Sequence, residues 1–307
     1  DYSRATTLRV PEEDRFTRTQ LVSGELFEPT EMAILPNLDV LIAQRRGELM
    51  LYNNAEKKLS QVGLLNVYHH TDVPRVNAEE GFIGLAADPH FKDNHYIYAM
   101  YSPKDTSVNR LSRFKFENNK LDMSSEKVIL QFYSQRDICC HTGGSIAFGP
   151  DGLLYLSTGD NTTPFDEPGQ KYVSRGFGPT DDRPGHLQYD DLRGSANTND
   201  LRGKIIRIKV NEDGSYAIPK GNLFPEGTAN TRPEIYAMGT RNPYRMTVDQ
   251  KTGFVYWGAV GPDANNDDSL RGPRGYDEIN QAKKPGFFGY PMFIANNKPY
   301  RKFDYET

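Results

Sequence analysis

The chain of 307 residues has little of several features that mark particular protein classes. It has only two cysteines, and because these are adjacent they cannot form a disulfide framework for the fold. No apolar run approaches the length that spans a bilayer, so the sequence predicts no transmembrane segment. The formal net charge of −4 comes from mixed acids and bases, which argues against nucleic acid as a partner because that requires a basic patch.

Long runs with the period of an α-helix are also missing, whereas residues that form turns are frequent. The 27 glycines and 20 prolines separate many short apolar segments, and 18 tyrosines and 16 phenylalanines can still build a core. An order of strand, turn, strand, gap and strand recurs along the chain, which is typical of propeller blades. The sequence therefore predicts an all-β propeller of about four blades, with residues 1–20 as a polar lead-in and residues 21–307 as the propeller domain.

One long polar segment interrupts the third copy of this pattern. Residues 161–200 are rich in Asp, Gly, Pro and Asn and have little apolar periodicity. Insertions in repeat folds usually form loops on one face, which is often the binding face. A surface decoration without function is an equally good interpretation.

The most informative segment is 139–160, in which a histidine and two glycines precede a strand, a tight turn and a second strand. His141 is therefore expected at the rim of a sheet, where rigid β folds often carry chemistry, and a histidine can accept a proton near neutral pH. Cys139 and Cys140 come directly before it. They form either a vicinal disulfide or two buried thiols, and the common burial of free cysteine slightly favours the thiols.

Several motifs, in the same order along the chain, resemble those of the soluble quinoprotein glucose/sorbosone dehydrogenases. They are the histidine segment 139–160, the acidic and glycine segment 79–91, the strand 201–208, the Arg-Asn-Pro turn 239–243 and the region 261–291. The resemblance runs from about Glu31 to Tyr300. It implies a six-bladed β-propeller that oxidises sugars with pyrroloquinoline quinone (PQQ). This chain would hold the first four blades or so, and the propeller would continue beyond Thr307.

The resemblance also implies roles for particular residues. His141 would remove a proton from a sugar hydroxyl while a hydride passes to PQQ, and Arg241 would stabilise negative charge that develops on the quinone oxygen. Asn242 would bond the cofactor, and Glu79 would lie near cofactor and substrate. The purely structural alternatives are a hydrogen-bonded rim histidine, a simple Arg-Asn-Pro turn and a solvated acid at position 79.

Calcium is a further implication of the resemblance. The backbone carbonyls of Gly261 and Pro262 would hold the ion that anchors PQQ, and Glu278 with the carbonyl of Phe288 would hold a second, structural ion. This sequence has an insertion between the Gly-Pro pair and Asp277, and it has Phe-Phe-Gly-Tyr-Pro where the family usually has Asn-Tyr-Gly-Trp-Pro. The alternative is an acidic, solvated loop.

The leading interpretation is an exported sugar dehydrogenase, periplasmic or extracellular, with PQQ and calcium as cofactors. Its substrate would be a sugar or other small polyol, and an electron-acceptor protein or a fused haem domain is a candidate partner. The family grips the PQQ carboxylates with basic residues of its last two blades, so this chain alone is expected to bind PQQ weakly or not at all.

Two other functions fit the sequence less well. The first alternative is a non-catalytic propeller that binds carbohydrate or protein through its rim loops, because a fold does not fix a function. The second is a calcium-dependent hydrolase such as a lactonase. It would need metal ligands from several blades to converge on the central channel, and the sequence offers a single acidic cluster.

Overall fold

The computed structural model describes residues 13–74, 76–164, 176–177 and 180–304. Within these ranges the structure is almost entirely β. Its one α-helix has four residues, Phe91–Asn94 (α1), and single 3₁₀ turns lie at Glu13–Arg15, Leu187–Tyr189 and Asp191–Arg193. No helix in these ranges is long and apolar enough to cross a membrane. Most of the expected lead-in, residues 1–12, lies outside the described residues.

The first two blades are four-stranded antiparallel sheets in which each strand pairs with the next along the chain. Blade 1 consists of β1 (Pro29–Ile34), β2 (Val40–Gln44), β3 (Glu48–Asn53) and β4 (Lys58–Leu64). Blade 2 consists of β5 (Phe82–Ala87), β6 (Tyr96–Tyr101), β7 (Val108–Glu117) and β8 (Lys120–Tyr133). In blade 2 the middle strands β6 and β7 are the most buried, because blades 1 and 3 pack on its two faces.

The third blade contains the long insertion. Its strands are β9 (Gly143–Phe148), β10 (Leu154–Thr158), β11 (Lys204–Val210), β12 (Tyr216–Ala217) and β13 (Ile235–Met238). Strands β9, β10, β11 and β13 form the antiparallel blade, and β12 makes a short hairpin with β11. Residues 161–200 separate β10 from β11, so the insertion interrupts this blade as the sequence predicts.

The fourth blade has three strands within the described part of the chain. They are β14 (Asn242–Val248), β15 (Val255–Val260) and β16 (Glu278–Ala282). After it, β17 (Gly286–Phe287) pairs in parallel with β13 of the third blade, and β18 (Phe293–Ile294) pairs with β19 (Lys298–Pro299).

Aromatic and aliphatic side chains fill the spaces between successive blades. Phe82 and Phe114 lie between blades 1 and 2, Tyr98 and Leu111 between blades 2 and 3, and Tyr155 and Trp257 between blades 3 and 4. Arg245 of β14 forms an ion pair with Glu31 of β1 at 3.4 Å and donates to the carbonyl of Thr30. The inner strands of the first and fourth blades therefore meet across the axis, and the start of each inner strand points to the same end of the molecule.

The predicted fold class, an all-β arc of four propeller blades, is confirmed. The recurring order of strand, turn, strand, gap and strand accounts for three strands in each blade and does not include β4, β8 and β13. Strands β4 and β8 are outer strands with many exposed polar positions, so they lack the apolar alternation that marks a half-buried strand. Strand β13 is buried but has only four residues, too few for a clear period.

The close contact between blades 2 and 3 makes a testable prediction about stability. A Cβ added at Gly84 of β5 would lie 1.8 Å from the carbonyl oxygen of Gly144 in β9, whereas a Cβ at Gly258 of β15 would meet nothing within 4 Å. We expect Gly84→Ala to lower the free energy of unfolding by about 1–3 kcal/mol. The matched control Gly258→Ala should change it by less than about 1 kcal/mol. Urea unfolding measures both, and equal midpoints for the two variants would show that the two backbones do not pack as described.

Candidate active site

A cavity of about 440 Å³ lies at the end of the axis where the inner strands begin. Its walls include four of the residues selected from the sequence, His141, Arg241, Asn242 and Glu79, together with Cys140. The volume is in the range that small-molecule sites occupy. The structure thus brings His141, Arg241 and Asn242 to one cavity, and the role of each residue stays a prediction.

The local backbone brings the histidine and the Arg-Asn pair together. His141 precedes β9, Asn242 begins β14, and the side-chain oxygen of Asn242 accepts a 3.0 Å hydrogen bond from the backbone N–H of Gly143. A Cβ at Gly159, at the end of β10, would lie 2.1 Å from the carbonyl oxygen of His141. Only a glycine at position 159 leaves room for the histidine backbone, which explains the Gly-Asp pair after this strand.

His141 is held by a buried carboxylate. Its Nδ1 lies 2.7 Å from Oδ1 of Asp160, and both side chains are almost completely buried. Burial, assisted by the charge of Arg241, lowers the pKa of His141 to about 3, while burial raises the pKa of Asp160 to about 6. At neutral pH the imidazole is therefore neutral and donates from Nδ1 to the carboxylate. Its Nε2 keeps a lone pair, which is the state that a general base requires.

Arg241 places a permanent positive charge beside the histidine. Its Nη1 donates to the carbonyl of Gly261 at 2.7 Å and to that of Val260 at 3.2 Å, and its side chain is 4% exposed. Burial opposes the charge, but Tyr290 and the nearby aspartates, including Asp160, outweigh it and raise the pKa of Arg241. The guanidinium therefore remains charged although it is buried, and a fixed charge removed from bulk water acts strongly on a reacting group.

Glu79 is not the solvated acid that the structural alternative describes. Its Oε2 accepts a 2.8 Å hydrogen bond from the backbone N–H of His141, and a carboxylate oxygen of Glu79 lies within 4.8 Å of both cysteine sulfurs. Behind it, Arg45 donates to the carbonyls of His69 and Ala78, which fixes the loop that carries Glu79. Glu79 thus supports the backbone of the histidine as well as lining the cavity.

Cys139 and Cys140 are joined in a disulfide, so the slight preference for buried thiols is wrong. Cys140 has a φ of 136° and His141 a φ of 62°, both in a region that residues with side chains rarely adopt. This unusual backbone lets the two adjacent sulfurs meet, and the general tendency of free cysteine to be buried does not take it into account. Cys140 forms part of the cavity wall beside His141.

The oxygen atoms expected to bind calcium are mostly engaged in other contacts. Gly261 and Pro262 lie between two residues that line the cavity, but the carbonyl of Gly261 accepts from Arg241, and the carbonyl oxygen of Pro262 packs against Gly275. The carboxylate of Glu278 accepts from the side chain of Asn280 in its own strand and from the backbone N–H of Ala295 in the turn between β18 and β19. Phe288 packs its ring on Trp257, with 4.7 Å between ring centroids.

Within the described ranges, His, Cys, Asp and Glu side chains gather in threes only at Glu79, Cys139 and Cys140, where the sulfurs are oxidised. No group of three such side chains forms in the loop that contains Gly261 and Pro262. A hydrolase with metal ligands from several blades in the channel is therefore the least supported of the functions considered.

Sequence reasoning missed three residues next to this site: Asp160, Asp191 and Tyr290. Asp160 is the last residue of the segment 139–160, and its position two residues after β10 could have suggested it as a partner for His141. Asp191 belongs to the long insertion, which has no period to interpret. Tyr290 stands in the Phe-Phe-Gly-Tyr-Pro motif and donates from its hydroxyl to Asp191 at 2.5 Å, a contact that joins distant parts of the chain.

Comparison with known proteins places these features in a family. The uncharacterized protein slr1608 of Synechocystis is 28% identical over 280 residues, which are 90% of this chain and 59% of that protein. Quinoprotein glucose dehydrogenase B of Acinetobacter calcoaceticus is 29% identical over 227 residues, 70% of this chain and 40% of that protein. The present chain thus spans about half the length of these relatives.

A solved structure from Thermus thermophilus, provisionally assigned as an oxidoreductase (glucose dehydrogenase), has the same arrangement. It superposes with a TM-score of 0.66 at 30% identity, covering 91% of this chain and 70% of that one. The family model described as Glucose / Sorbosone dehydrogenase matches residues 26–305, which include all four blades and the cavity residues. The chain therefore belongs to the glucose/sorbosone dehydrogenase family.

Proposed function

We propose that this chain carries the proton-accepting part of a PQQ-dependent sugar dehydrogenase. One observation carries the proposal: a buried, neutral His141 is oriented by Asp160 in the wall of a cavity that also contains the guanidinium of Arg241. In this reaction His141 Nε2 takes the proton of a sugar hydroxyl, and Asp160 stabilises the imidazolium that results. Arg241 faces the position where negative charge develops.

The residues present fit one end of PQQ. Arg241 offers a fixed cation and Asn242 an amide beside the histidine, and these would hold the quinone oxygens. PQQ, when bound, would supply the hydride acceptor. The other arginine in the cavity, Arg45, is engaged with Glu28 and with backbone carbonyls. The carboxylates of PQQ therefore need cations from outside the described cavity wall.

Calcium belongs to the proposal by family resemblance alone. The oxygen of Gly261 already accepts from a guanidinium, and a cation is repelled by the positive charge of Arg241. The geometry by itself supports no calcium-dependent step at Gly261 and Pro262. A sugar or small polyol as substrate, export from the cytoplasm, and an electron-acceptor protein or haem domain as partner are parts of the same proposal.

We also propose that further blades, from a continuing polypeptide or from another chain, cover one face of the fourth blade. Ile279 of β16 is 90% exposed and Val260 of β15 is 41% exposed, although both lie in strands of a sheet whose other face is buried. Such blades would also bring the missing cations for the PQQ carboxylates. Intact mass and oligomeric state, measured on the natural protein, test this, and a monomer of 34.8 kDa that melts cooperatively would contradict it.

Replacement of the proposed base tests the function directly. We expect His141→Ala to lower PQQ-dependent oxidation of aldoses by about 10² to 10⁴, because a positioned base contributes about that much to the rate. Dye reduction by the full-length protein with PQQ and calcium measures turnover. His90→Ala, at an exposed histidine, is the matched control and should keep full activity. Unchanged turnover in His141→Ala, with an intact circular dichroism spectrum, would exclude His141 as the base.

The ionisation of Asp160 predicts how activity depends on pH. Because burial raises the pKa of Asp160 to about 6 and its ionised form is needed to orient His141, turnover should rise with pH and level off above about pH 6. The pKa of His141 itself, lowered to about 3, is too low to produce this limb. Asp160→Asn should abolish the limb and lower turnover by about 10² or more, because an amide can stabilise the wrong tautomer. An acid limb that survives in Asp160→Asn would assign it to another group.

The alternative function, a non-catalytic propeller, predicts a different experimental outcome. A non-catalytic propeller would show no aldose oxidation in the full-length protein under any PQQ and calcium concentration, while still binding carbohydrate or a protein through its rim. Isothermal titration of the full-length protein with PQQ distinguishes the two functions. The proposed dehydrogenase binds PQQ and loses affinity when Arg241 is replaced by Ala. The rim binder does not bind PQQ.

A further inference from the structure

Two buried carboxyl groups lie in contact behind His141. Asp160 follows β10, and Asp191 begins the 3₁₀ turn Asp191–Arg193 within the long insertion. Both side chains are completely buried, and the two carboxyl groups are within hydrogen-bonding contact of each other. Two ionised carboxylates at such a distance in the interior of a protein repel strongly, so they do not both ionise at neutral pH.

The hydrogen bonds of the pair leave one oxygen on each side without a donor. Oδ1 of Asp160 accepts from Nδ1 of His141 at 2.7 Å and from the backbone N–H of Thr162 at 2.9 Å, and Oδ2 of Asp191 accepts from Tyr290. Oδ2 of Asp160 and Oδ1 of Asp191 are buried and have no partner among the described residues if both groups are ionised. A single proton between the two carboxyl groups satisfies both oxygens, whereas two unpaired anionic oxygens are costly to bury.

The surrounding charges do not supply a donor for these two oxygens. Arg241 donates to the carbonyls of Val260 and Gly261, Arg193 to Gln135 and the carbonyl of Asn161, and Lys204 to three backbone carbonyls. Asp190 adds negative charge next to Asp191. Among the described residues, the groups near the pair thus include these three cations, whose hydrogen bonds named above go elsewhere, the acid Asp190, the hydroxyls of Tyr290 and Tyr300 and the neutral imidazole of His141.

We propose that Asp160 and Asp191 share one proton, and that Asp191 is a positioning residue that keeps Asp160 as a singly charged acceptor for His141. Asp191 holds the proton and donates it to Oδ2 of Asp160, while Oδ1 of Asp160 faces the histidine. Burial and the neighbouring Asp160 carboxylate raise the pKa of Asp191 well above its ordinary value, in agreement with this arrangement.

The pair then sets the basicity of His141. A dianionic pair would place two negative charges behind the ring and hold a proton on it, whereas the singly protonated pair places one. When Nε2 takes a proton, Asp160 remains ionised and Asp191 keeps the shared proton. No proton has to leave through the interior. Proton uptake by Nε2 is the only part of the proposal that rests on the proposed function of His141. The shared proton exists whether or not the chain oxidises a sugar.

Infrared spectroscopy of the chain without PQQ tests the shared proton. At about pH 8, where ordinary carboxyl groups are ionised, wild type should show the carbonyl stretch of a buried protonated carboxyl group, and Asp191→Asn should lose it. Asp200→Asn is the matched control from the same insertion, because Arg202, against the effect of burial, lowers the pKa of Asp200 and keeps it ionised. Absence of the band in wild type, or its survival in Asp191→Asn, overturns the proposal.

The positioning role has its own measurement. Infrared titration of Asp160 should give an apparent pKa that Asp191→Leu raises by about one unit or more, because the ionised carboxylate loses a donor. Asp191→Asn, whose amide can still donate to Asp160, should shift it less than Asp191→Leu. Equal pKa values of Asp160 in Asp191→Leu and Asp191→Asn would overturn the positioning role. If Asp191→Leu does not fold, a pKa for Asp160 in Asp191→Asn that differs from wild type by more than about one unit would also contradict it. None of these readouts needs sugar oxidation, so a failure here is distinct from a failure of the dehydrogenase proposal.

Discussion

The hydrogen bond between His141 and Asp160 is the interaction on which the candidate site depends. It joins a residue before β9 to a residue after β10, and the turn between these strands fixes the separation of the two ends. Both groups are removed from water, so the bond acts in a medium of low dielectric, where an unpaired partner would be costly. Burial also reverses the order of the two pKa values: it lowers that of His141 to about 3 and raises that of Asp160 to about 6, so above about pH 6 the ring is neutral and the carboxylate is its acceptor.

The remaining features of the site follow from the burial of that bond. A negative charge in the interior needs a compensating positive one, and Arg241 supplies it without bonding to the Asp160 carboxylate. Its Nη1 donates to two backbone carbonyls, and its Nη2 lies 4.0 Å from Oδ2 of Asp263. A second buried acid, Asp191, is tolerated only with a proton. Glu79 and the joined cysteines hold the unusual backbone of His141 from the other side. The site is therefore a set of charges that balance one another inside a rigid β framework.

Much of the fold could be predicted from the sequence because propeller blades repeat a local pattern. Inner and middle strands are apolar and are separated by turn residues, as in the Pro150-Asp151-Gly152 turn between β9 and β10, so their order is visible without tertiary information. The outer strands β4 and β8 are not visible in this way, since many of their positions are polar and exposed. The long insertion has no period at all, which is why Asp191 could not be placed.

The site was predictable only where a motif is contiguous. His141 and the Arg241-Asn242 pair lie at the starts of inner strands, so the fold itself brings them to one end of the axis. The contacts of Asp160, Asp191 and Tyr290 join residues from two blades and the insertion, and no sequence spacing encodes them. The state of Cys139 and Cys140 depends on a backbone conformation that residue type alone does not dictate.

The tautomer of His141 is the most direct test of the central claim. Nitrogen NMR of the chain, with labelled histidine and His141→Asn to assign the signals, reports which ring nitrogen carries the proton. A neutral ring with the proton on Nδ1 between about pH 7 and about pH 8, where Asp160 is ionised, is the predicted result. An imidazolium at neutral pH, or a proton on Nε2, would contradict the assignment of His141 as a base held ready by Asp160.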